Sequence, residues 1–329
     1  MLNMDKKDLK ILTELDKDAR QSNQQIGRKV GLSKEVVKYR IDKLIEDKTI
    51  IRFHAVINYF KLGIMKFKLY LRLTNANKEK IEEIANYFFR HKKTEWVVTT
   101  TGRWDLIVGF LVKNANEFDD EIQIAMNKFS KSIIEKAVTT TLELSHQSRE
   151  FLKDSESKKR EIVYHTLKDP LAKVDDVDLE ILKILVNNSR IPITQIASRL
   201  KTTARIAQYK IDSLEKKKII LAYKAQLDPP KVGRIFCKAL LYLTNTTQKR
   251  LEEFILYTSS LKDAVWPQKV LGAWDFELDF ELESYDRFQE ILLELKEKFP
   301  DLIKNHEFCI VSKEYKLDFF PGAYREITI

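Results

Sequence analysis

Residues 5–48 read DKKDLKILTELDKDARQSNQQIGRKVGLSKEVVKYRIDKLIEDK, and residues 175–218 read DDVDLEILKILVNNSRIPITQIASRLKTTARIAQYKIDSLEKKK. The two stretches align without a gap at a shift of 170 residues. The alignment continues through residue 105, with roughly thirty of the hundred pairs identical. Two copies of one unit in a single polypeptide predict an internal pseudo-dimer with approximate two-fold symmetry.

Each copy of the quoted stretch predicts three helices. Asp5 and Asp175 stand at N-cap positions, each before an apolar stripe of helical spacing. Ser22 and Gln25 have the spacing of a capping box, which predicts a short second helix over 23–30. Ser33 is expected to cap a third helix over about 34–47, and the matching helix covers about 204–217. The residues of the third helix expected to face inward are Val36, Val37, Ile41 and Leu44.

The remainder of each unit predicts an extended stretch and then a β-α-β-β-α-β pattern. The stretches at 50–53 and 219–223 are rich in β-branched residues and are interpreted as a short hairpin or wing. Strands are predicted at 66–73, 94–101, 105–112 and 134–144, and again at 238–243, 264–271, 275–282 and 306–312. Helices are predicted at 78–91, 117–130, 248–260 and 285–299. The predicted fold class is α+β, with two winged helix-turn-helix domains and two ferredoxin-like βαββαβ domains in a tandem repeat.

These patterns divide the chain into five segments. The expected segments are a winged helix-turn-helix domain at 1–58, a ferredoxin-like ligand-binding and dimerisation domain at 59–149, a linker at 150–174, a second winged helix-turn-helix domain at 175–228, and a second ferredoxin-like domain with a C-terminal tail at 229–329. Part of the linker is expected to be ordered because it contains apolar residues at 162–164. The aromatic tail residues, which are expected to pack on the core, are Tyr315, Phe319, Phe320 and Tyr324.

Composition favours a polyanionic partner. The net charge is +9, and residues 1–58 carry thirteen Lys and Arg against nine Asp and Glu. Residues 169–228 carry eleven against eight, so the basic excess recurs at the opening of each half. The sequence has no long apolar run and opens with charged residues, which predicts a cytoplasmic protein with no membrane span. Cys237 and Cys309 do not recur between the halves and are expected to be buried and reduced.

The order of these elements resembles the leucine-responsive/asparagine-regulator (Lrp/AsnC) family of transcription regulators. The segments that carry the resemblance are DKKDLKILTELDKDAR, IGRKVGLSKEVVKYRIDKLIEDKTI and TGRWDLIVGFLV, and in the second half DDVDLEILKILVNNSRIPITQIA and LGAWDFELDF. The resemblance implies binding to double-stranded DNA, modulation by a small effector such as an amino acid, and assembly into a homodimer or a higher oligomer.

Three positions depart from the family pattern. The family usually has glycine just before the isoleucine that opens the wing, where this chain has Thr49 and Ile219. The turn before the third helix has Gly31 in the first half but Lys201 in the second, which is less suited to a positive φ. The third departure is the presence of two units in one chain, which implies that the halves pair as two family subunits do.

In a helix-turn-helix motif the second helix enters the major groove with its N-terminal residues. The expected DNA-binding residues are Ser33, Lys34, Lys38, Tyr39 and Arg40 in the first half, and Thr202, Thr203, Arg205, Gln208 and Lys210 in the second. The alternative is a solvated helix face, with Tyr39 packing the helix against its own domain. Because the two helices differ in most of these residues, we predict two unlike half-sites rather than a perfect palindrome.

The turns with Gly102, Arg103 and Asp105, and with Gly272 and Asp275, are the expected effector site. The resemblance places a small-molecule site in this region, where an aspartate could take an ammonium group and backbone N–H groups a carboxylate. The alternative is a β-turn with a capping aspartate and no ligand.

The sequence contains no recognisable catalytic, metal or cofactor motif, so we expect a protein that is not an enzyme and holds neither a metal nor a cofactor. One alternative is a tetrapyrrole-processing decarboxylase of haem biosynthesis, since such enzymes share the two-domain architecture. Its candidate residues would be Arg103, His91 and His306. The other alternative is a ligand-binding module without DNA binding.

Overall fold

The computed structural model describes residues 4–74, 77–153 and 162–320. The first half contains helices α1 (Lys6–Lys17), α2 (Asn23–Val30), α3 (Lys34–Glu46), α4 (Lys78–Arg90) and α5 (Ala115–Lys128), and strands β1 (Ile50–Ile57), β2 (Met65–Leu73), β3 (Thr94–Gly102), β4 (Leu106–Val112) and β5 (Ile133–Gln147). The connector contributes β6 (Ile162–Thr166). The second half contains helices α6 (Asp176–Asn187), α7 (Ile193–Arg199), α8 (Ala204–Lys216), α9 (Gln248–Ser260) and α10 (Tyr285–Lys298), and strands β7 (Ile220–Leu227), β8 (Ile235–Leu243), β9 (Ala264–Gly272), β10 (Phe276–Leu282) and β11 (Ile303–Leu317). The two halves share one element order, as the repeat predicted.

Helix starts follow the local capping signals. Asp5 and Asp175 form capping boxes at α1 and α6, and Ser22 does so at α2 with Gln25. Ser33 accepts a hydrogen bond from the Val36 amide at the start of α3. The prediction that Val36 faces inward is wrong, because 40% of this residue is exposed. Val37, Ile41 and Leu44 already fill the single stripe that α3 buries.

Three lysines adopt the left-handed conformation in which glycine is favoured. Lys201 has φ 53°, close to the 68° of Gly31 at the equivalent turn. The second turn therefore keeps its shape at a cost of about 1 kcal/mol. Lys48 and Lys218 have φ 63° and 57°. The position that would favour glycine thus lies one residue before Thr49 and Ile219.

The interpretation of the 50–53 and 219–223 stretches as a hairpin within each half is wrong. β1 pairs instead with β7, antiparallel, so that the two halves share one two-stranded ribbon. A lone strand leaves a row of backbone groups unpaired, and the second copy of the unit supplies the matching row.

The ribbon also exchanges core residues between the halves. Ala225 and Leu227 of β7 lie in the apolar core of α1–α3, and Ala55 and Ile57 of β1 lie in the core of α6–α8. Each three-helix core is therefore completed by a strand of the other half. The tail residues Phe319 and Phe320 pack against the α6–α8 core, as predicted, whereas Tyr324 lies outside the described residues.

Eight of the nine remaining strands close into an antiparallel barrel. The order is β2-β4-β3-β11-β8-β10-β9-β5, and β5 pairs again with β2. The pairings of β3 with β11 and of β5 with β9 join the two halves, as expected for sheets that pair within the chain. β6 lies outside the barrel and pairs antiparallel with the last residues of β5. Part of the linker is therefore ordered, as predicted.

The barrel interior contains two of the four tryptophans and a buried ionic cluster. Trp104 and Trp274 pack in its apolar part. Glu277 is fully buried and is paired with the Lys68 and Lys238 ammonium groups, which come from different halves. Tyr70 donates to the same carboxylate over 2.8 Å. Cys237 and Cys309 are free and buried, as predicted.

Candidate nucleic-acid interface and internal cavity

The N-terminal part of α3 presents an open surface. Ser33, Lys34, Lys38 and Tyr39 are all exposed. Tyr39 is 68% exposed and Tyr209, its counterpart on α8, is 71% exposed. Packing against the helix's own domain therefore does not account for these tyrosines, which lie on the outer face with the lysines.

The equivalent surface of α8 carries different chemistry. Thr203 caps the helix by accepting from the Ile206 amide, and Thr202 precedes it in the turn. Arg205 and Gln208 are exposed one turn apart. The Gln208 amide donates to Asp212 over 2.6 Å, as Lys38 pairs with Asp42 over 2.5 Å on α3. Both contacts join exposed side chains, and such pairs are weak enough to open for a ligand.

Arg40 and Lys210 form ion pairs with the N-terminal residues of helices α1 and α6. The Arg40 guanidinium lies 2.8 Å from Asp5 and 2.7 Å from Asp8, at the capping box of α1. Lys210 pairs in the same way with Asp175 and Asp178 at the start of α6. These two residues brace the third helix against the first, so a phosphate contact would compete with an ion pair.

A recurring arginine pair holds the two helix-turn-helix units together. Arg20 donates to the Ser189 carbonyl over 2.7 Å, and Arg190 donates to the Ala19 carbonyl over 2.6 Å. Each guanidinium also lies 5.2 Å from an aromatic ring of the ribbon, Tyr223 and Phe53 respectively. The sequence signal for this contact is the recurrence of arginine at the equivalent position of each half.

The turns that were expected to bind an effector lie at the two seams of the barrel, where β3 pairs with β11 and β5 pairs with β9. Gly102 and Gly272 have φ 128° and 143°, and a Cβ on either would overlap a carbonyl of the other half. The Asp105 carboxylate accepts from the Leu73 amide over 2.7 Å, and that of Asp275 accepts from Leu243 over 2.8 Å. The capped-turn alternative thus accounts for the glycines and aspartates without a ligand.

Only two of the three candidates for a tetrapyrrole enzyme come together. Arg103 and His306 border a shallow pocket of about 390 Å³ beside Gly102. His91 instead contacts Glu121 over 2.9 Å, between α4 and α5. Burial lowers the pKa of His91, with opposition from the neighbouring Glu121.

A larger cavity, which sequence reasoning missed, lies between the barrel and the ribbon. Its volume is about 910 Å³. The barrel strands contribute Trp96, His146 and Trp266, and the ribbon contributes His54 and Lys224. Burial, reinforced by nearby positive groups, holds the pKa of both histidines well below the usual range, so both rings are neutral at pH 7. We refer to this space as the barrel-mouth cavity.

Among the described residues, no helix is both long enough and apolar enough to cross a membrane.

Residues 4–45 match the AsnC-type helix-turn-helix domain, and residues 174–220 match a winged helix-turn-helix DNA-binding domain. The chain is 31% identical over 139 residues to the proline dehydrogenase transcriptional activator of Rhizobium radiobacter, a match that spans 42% of this chain and 89% of that protein. It is 33% identical over 114 residues to the transcriptional regulator Ptr1 of Methanocaldococcus jannaschii, spanning 34% and 74% of the two chains.

Solved structures of one enzyme, with and without a ligand, are similar along almost the whole length. The siroheme decarboxylase NirDL matches with a TM-score of 0.64 over 98% of both chains, at 13% identity. At that identity the likeness concerns the fold alone. The regulators match at higher identity over about one unit, and both helix-turn-helix units are recognised independently. The chain therefore belongs to the Lrp/AsnC family of helix-turn-helix transcriptional regulators.

Proposed function

We propose that the chain binds double-stranded DNA sequence-specifically as a single-chain pseudo-dimer. The observation that carries this proposal is the pairing of two capped, exposed recognition helices on one shared ribbon. The Arg20 and Arg190 contacts support a fixed relation between the two units, which two half-sites on one duplex require.

We further propose that the two half-sites differ in sequence. Lys34, Glu35 and Lys38 on α3 correspond to Ala204, Arg205 and Gln208 on α8. Lysine suits phosphate oxygens, whereas arginine and glutamine can each form two hydrogen bonds to a base edge. The second helix should therefore dominate base recognition and the first should contribute more to backbone contact.

Selection of bound fragments from random DNA, followed by a salt titration on the winner, tests the proposal. We expect two unlike half-sites. We also expect the logarithm of the binding constant to fall linearly with the logarithm of the salt concentration. Arg205→Ala should relax one position of one half-site and weaken binding by about 1–3 kcal/mol. Lys38→Ala should weaken binding to all sequences and reduce the salt slope by about one.

Lys131→Ala is the matched control, because it removes the same charge from an exposed turn of the barrel domain. It should leave the selected motif unchanged. A strict palindrome would overturn the unlike half-sites. No salt-dependent binding at low salt would instead favour a ligand-binding module without DNA binding.

We propose in addition that a small effector modulates DNA binding. At the Gly102 turn the pocket beside Arg103 supports an amino-acid effector, with Arg72 and His306 as further lining residues. The engagement of Asp105 with the Leu73 amide weighs against a role for that carboxylate in binding an ammonium group. Assembly into a homodimer or a higher oligomer also remains a proposal, which sedimentation of the free protein tests.

A tetrapyrrole-processing activity is the second candidate function. The fold likeness to NirDL, whose structure is known with an iron-uroporphyrin III analogue, and the barrel-mouth cavity favour it. Against it, Lys66 is paired with Glu95, and Arg149 is paired with Asp16 and Glu281, so these cations are not available to an acidic macrocycle. A shifted Soret band on titration with iron-uroporphyrin III would support this candidate.

A further inference from the structure

We propose that the barrel-mouth cavity binds an uncharged, fused heteroaromatic molecule whose ring carries N–H and C=O groups. The proposal assigns the effector of the regulator to a site other than the Gly102 and Gly272 turns. The claim that the cavity binds such a ligand is argued from the cavity itself. The claim that the ligand regulates DNA binding rests on the proposed function.

The size and position of the cavity fit a small ligand. An eight-stranded barrel has room at its mouth for one small molecule, and ligand pockets usually measure about 300–1,000 Å³. The cavity, at about 910 Å³, lies at the upper end of that range. The β1–β7 ribbon forms its roof and the barrel strands form its floor.

Flat rings border the cavity from both sides. On the barrel, Phe236 lies 5.7 Å from Trp266 and 6.1 Å from Trp96 between ring centroids. On the roof, His54 stacks on Phe319 with centroids 4.3 Å apart. Stacking between aromatic surfaces is most favourable for a flat, conjugated ligand.

The lining is nearly neutral, and several of its buried ionic groups are paired within the protein. Seven Lys and Arg residues and six Asp and Glu residues border the cavity. Lys66 lies 2.9 Å from Glu95, and Arg149 lies 2.9 Å from Asp16 and 2.7 Å from Glu281. A charged ligand that bound Lys66 or Arg149 would have to break a buried pair and leave a charge uncompensated, which is costly. An uncharged ligand avoids that cost.

Several lining groups have hydrogen-bonding capacity that the described residues do not use. Gln147 is only 4% exposed, and within the described part of the chain neither its Nε2 nor its Oε1 has a partner. The same holds for Glu95 Oε2. His146 Nδ1 accepts from Trp266 Nε1 over 3.1 Å, so its neutral ring carries the proton on Nε2 as a donor.

A buried amide without partners is unusual, since nearly all buried polar groups are hydrogen-bonded. A ring edge with adjacent N–H and C=O groups complements an amide on both of its atoms. Oxopurine, pterin and flavin rings have this edge. The lining therefore fits the flat shape, the lack of charge and the donor–acceptor edge of one chemical class.

The location of the cavity connects a ligand to DNA binding. The roof strands follow directly from the recognition helices, β1 after α3 and β7 after α8. A ligand in contact with both roof and floor would favour one position of the ribbon relative to the barrel. Ligand and DNA would then change each other's affinity by the same factor.

Riboflavin and guanosine are suitable probes for the full-length protein. We expect quenching of riboflavin fluorescence with 1:1 stoichiometry, because Trp96 and Trp266 border the cavity, and competition by guanosine. Gln147→Met should weaken binding at least tenfold. It should not lower the Tm, because the amide has no partner to lose among the described residues. Gln123→Met, at an exposed position of α5, is the matched control and should bind as the parent does.

Absence of binding by both probes at millimolar concentration would overturn the inference. So would an unchanged affinity in both Gln147→Met and Trp266→Leu, or tight binding of iron-uroporphyrin III that neither probe displaces. The same preparation is assayed for DNA binding with and without probe. DNA binding without probe binding rejects the cavity assignment alone, whereas probe binding without DNA binding rejects the proposed function. Probe binding that leaves DNA affinity unchanged rejects the regulatory part.

Discussion

At the scale of single residues, the buried histidines make the stability of the protein depend on pH. His146 and His165 lie 5.4 Å apart between ring centroids, on the paired strands β5 and β6. Burial, with a contribution from Lys66, lowers the pKa of His165 to about 3. Burial likewise holds the pKa of His54 and His146 well below the usual range. The folded protein therefore keeps all three rings neutral where the unfolded chain would protonate them.

Acid should consequently destabilise the protein in the range where the unfolded histidines titrate. Their contribution is fully present above about pH 6.5, and it is lost as the pH falls from there towards the folded pKa. With a folded pKa of about 3, His165 should cost about 2 kcal/mol of unfolding free energy at pH 5 relative to pH 7, and His54 and His146 should add losses of the same sign. Urea unfolding of the parent and of His165→Phe at several pH values measures this loss.

His165→Phe should show a shallower dependence on pH, because it removes one proton-binding group from the unfolded chain. Tyr164→Phe changes a half-exposed neighbour in the same strand and should keep the slope of the parent. Equal slopes for all three proteins would contradict the assignment of acid sensitivity to the buried imidazole.

At the scale of elements, the two seams of the barrel depend on glycine. The Arg103 amide donates to the Phe308 carbonyl, and the Ala273 amide donates to the Val138 carbonyl, so each turn is held against a strand of the other half. The conformation of Gly102 and Gly272 is left-handed, and no space exists there for a Cβ. Strand pairing between the halves thus relies on two positions without side chains.

Gly102→Ala and Gly272→Ala should each lower the free energy of unfolding by about 2–4 kcal/mol, from backbone strain and overlap together. Gly63→Ala is the matched control. It also has a positive φ, of 72°, but its Cβ would lie 3.7 Å from the nearest side-chain atom, Leu171 Cδ2. It should lose only about 1 kcal/mol. Equal losses in all three variants would mean that strain alone, and not close approach at the seam, makes glycine necessary.

At the scale of the whole molecule, the halves are complementary rather than interchangeable. Glu277 of the second half neutralises Lys68 of the first. The position equivalent to Glu277 in the first half is Ile107. A homodimer of first halves would therefore bury Lys68 without a carboxylate, at a cost of about 3–5 kcal/mol per unpaired charge.

Co-expression of fragments 1–153 and 162–329 should yield a 1:1 complex, because the shared ribbon, the exchanged cores and the barrel seams all join unlike halves. Fragment 1–153 alone should be less stable and less soluble. Lys68→Met should partly rescue it by removing the buried charge. Sedimentation and thermal unfolding of the fragments measure both effects. A stable homodimer of unmodified 1–153 would show that the ionic cluster does not select the partner.

The sequence by itself determined the order of elements, most helix starts and the family. These features depend on local chemistry, in which a capping side chain, an apolar period or a repeated motif acts over a few residues. Ser22 with Gln25 and Ser33 are of this kind, and the structure has both caps where they were predicted. The exposed faces of the recognition helices were also predictable, because their polar residues lie opposite the buried stripe.

Only the tertiary structure decided how the two copies combine. β1 pairs with β7 across about 170 residues, and alternation within a strand cannot specify a partner so distant. The composition of the barrel interior could not be predicted for the same reason. Lys68, Lys238 and Glu277 have the sequence pattern of solvent-facing residues, and only closure of the barrel buries them. The barrel-mouth cavity exists only where ribbon and barrel meet. It could not be predicted because its walls come from segments that are far apart in the chain and adjacent only in the folded molecule.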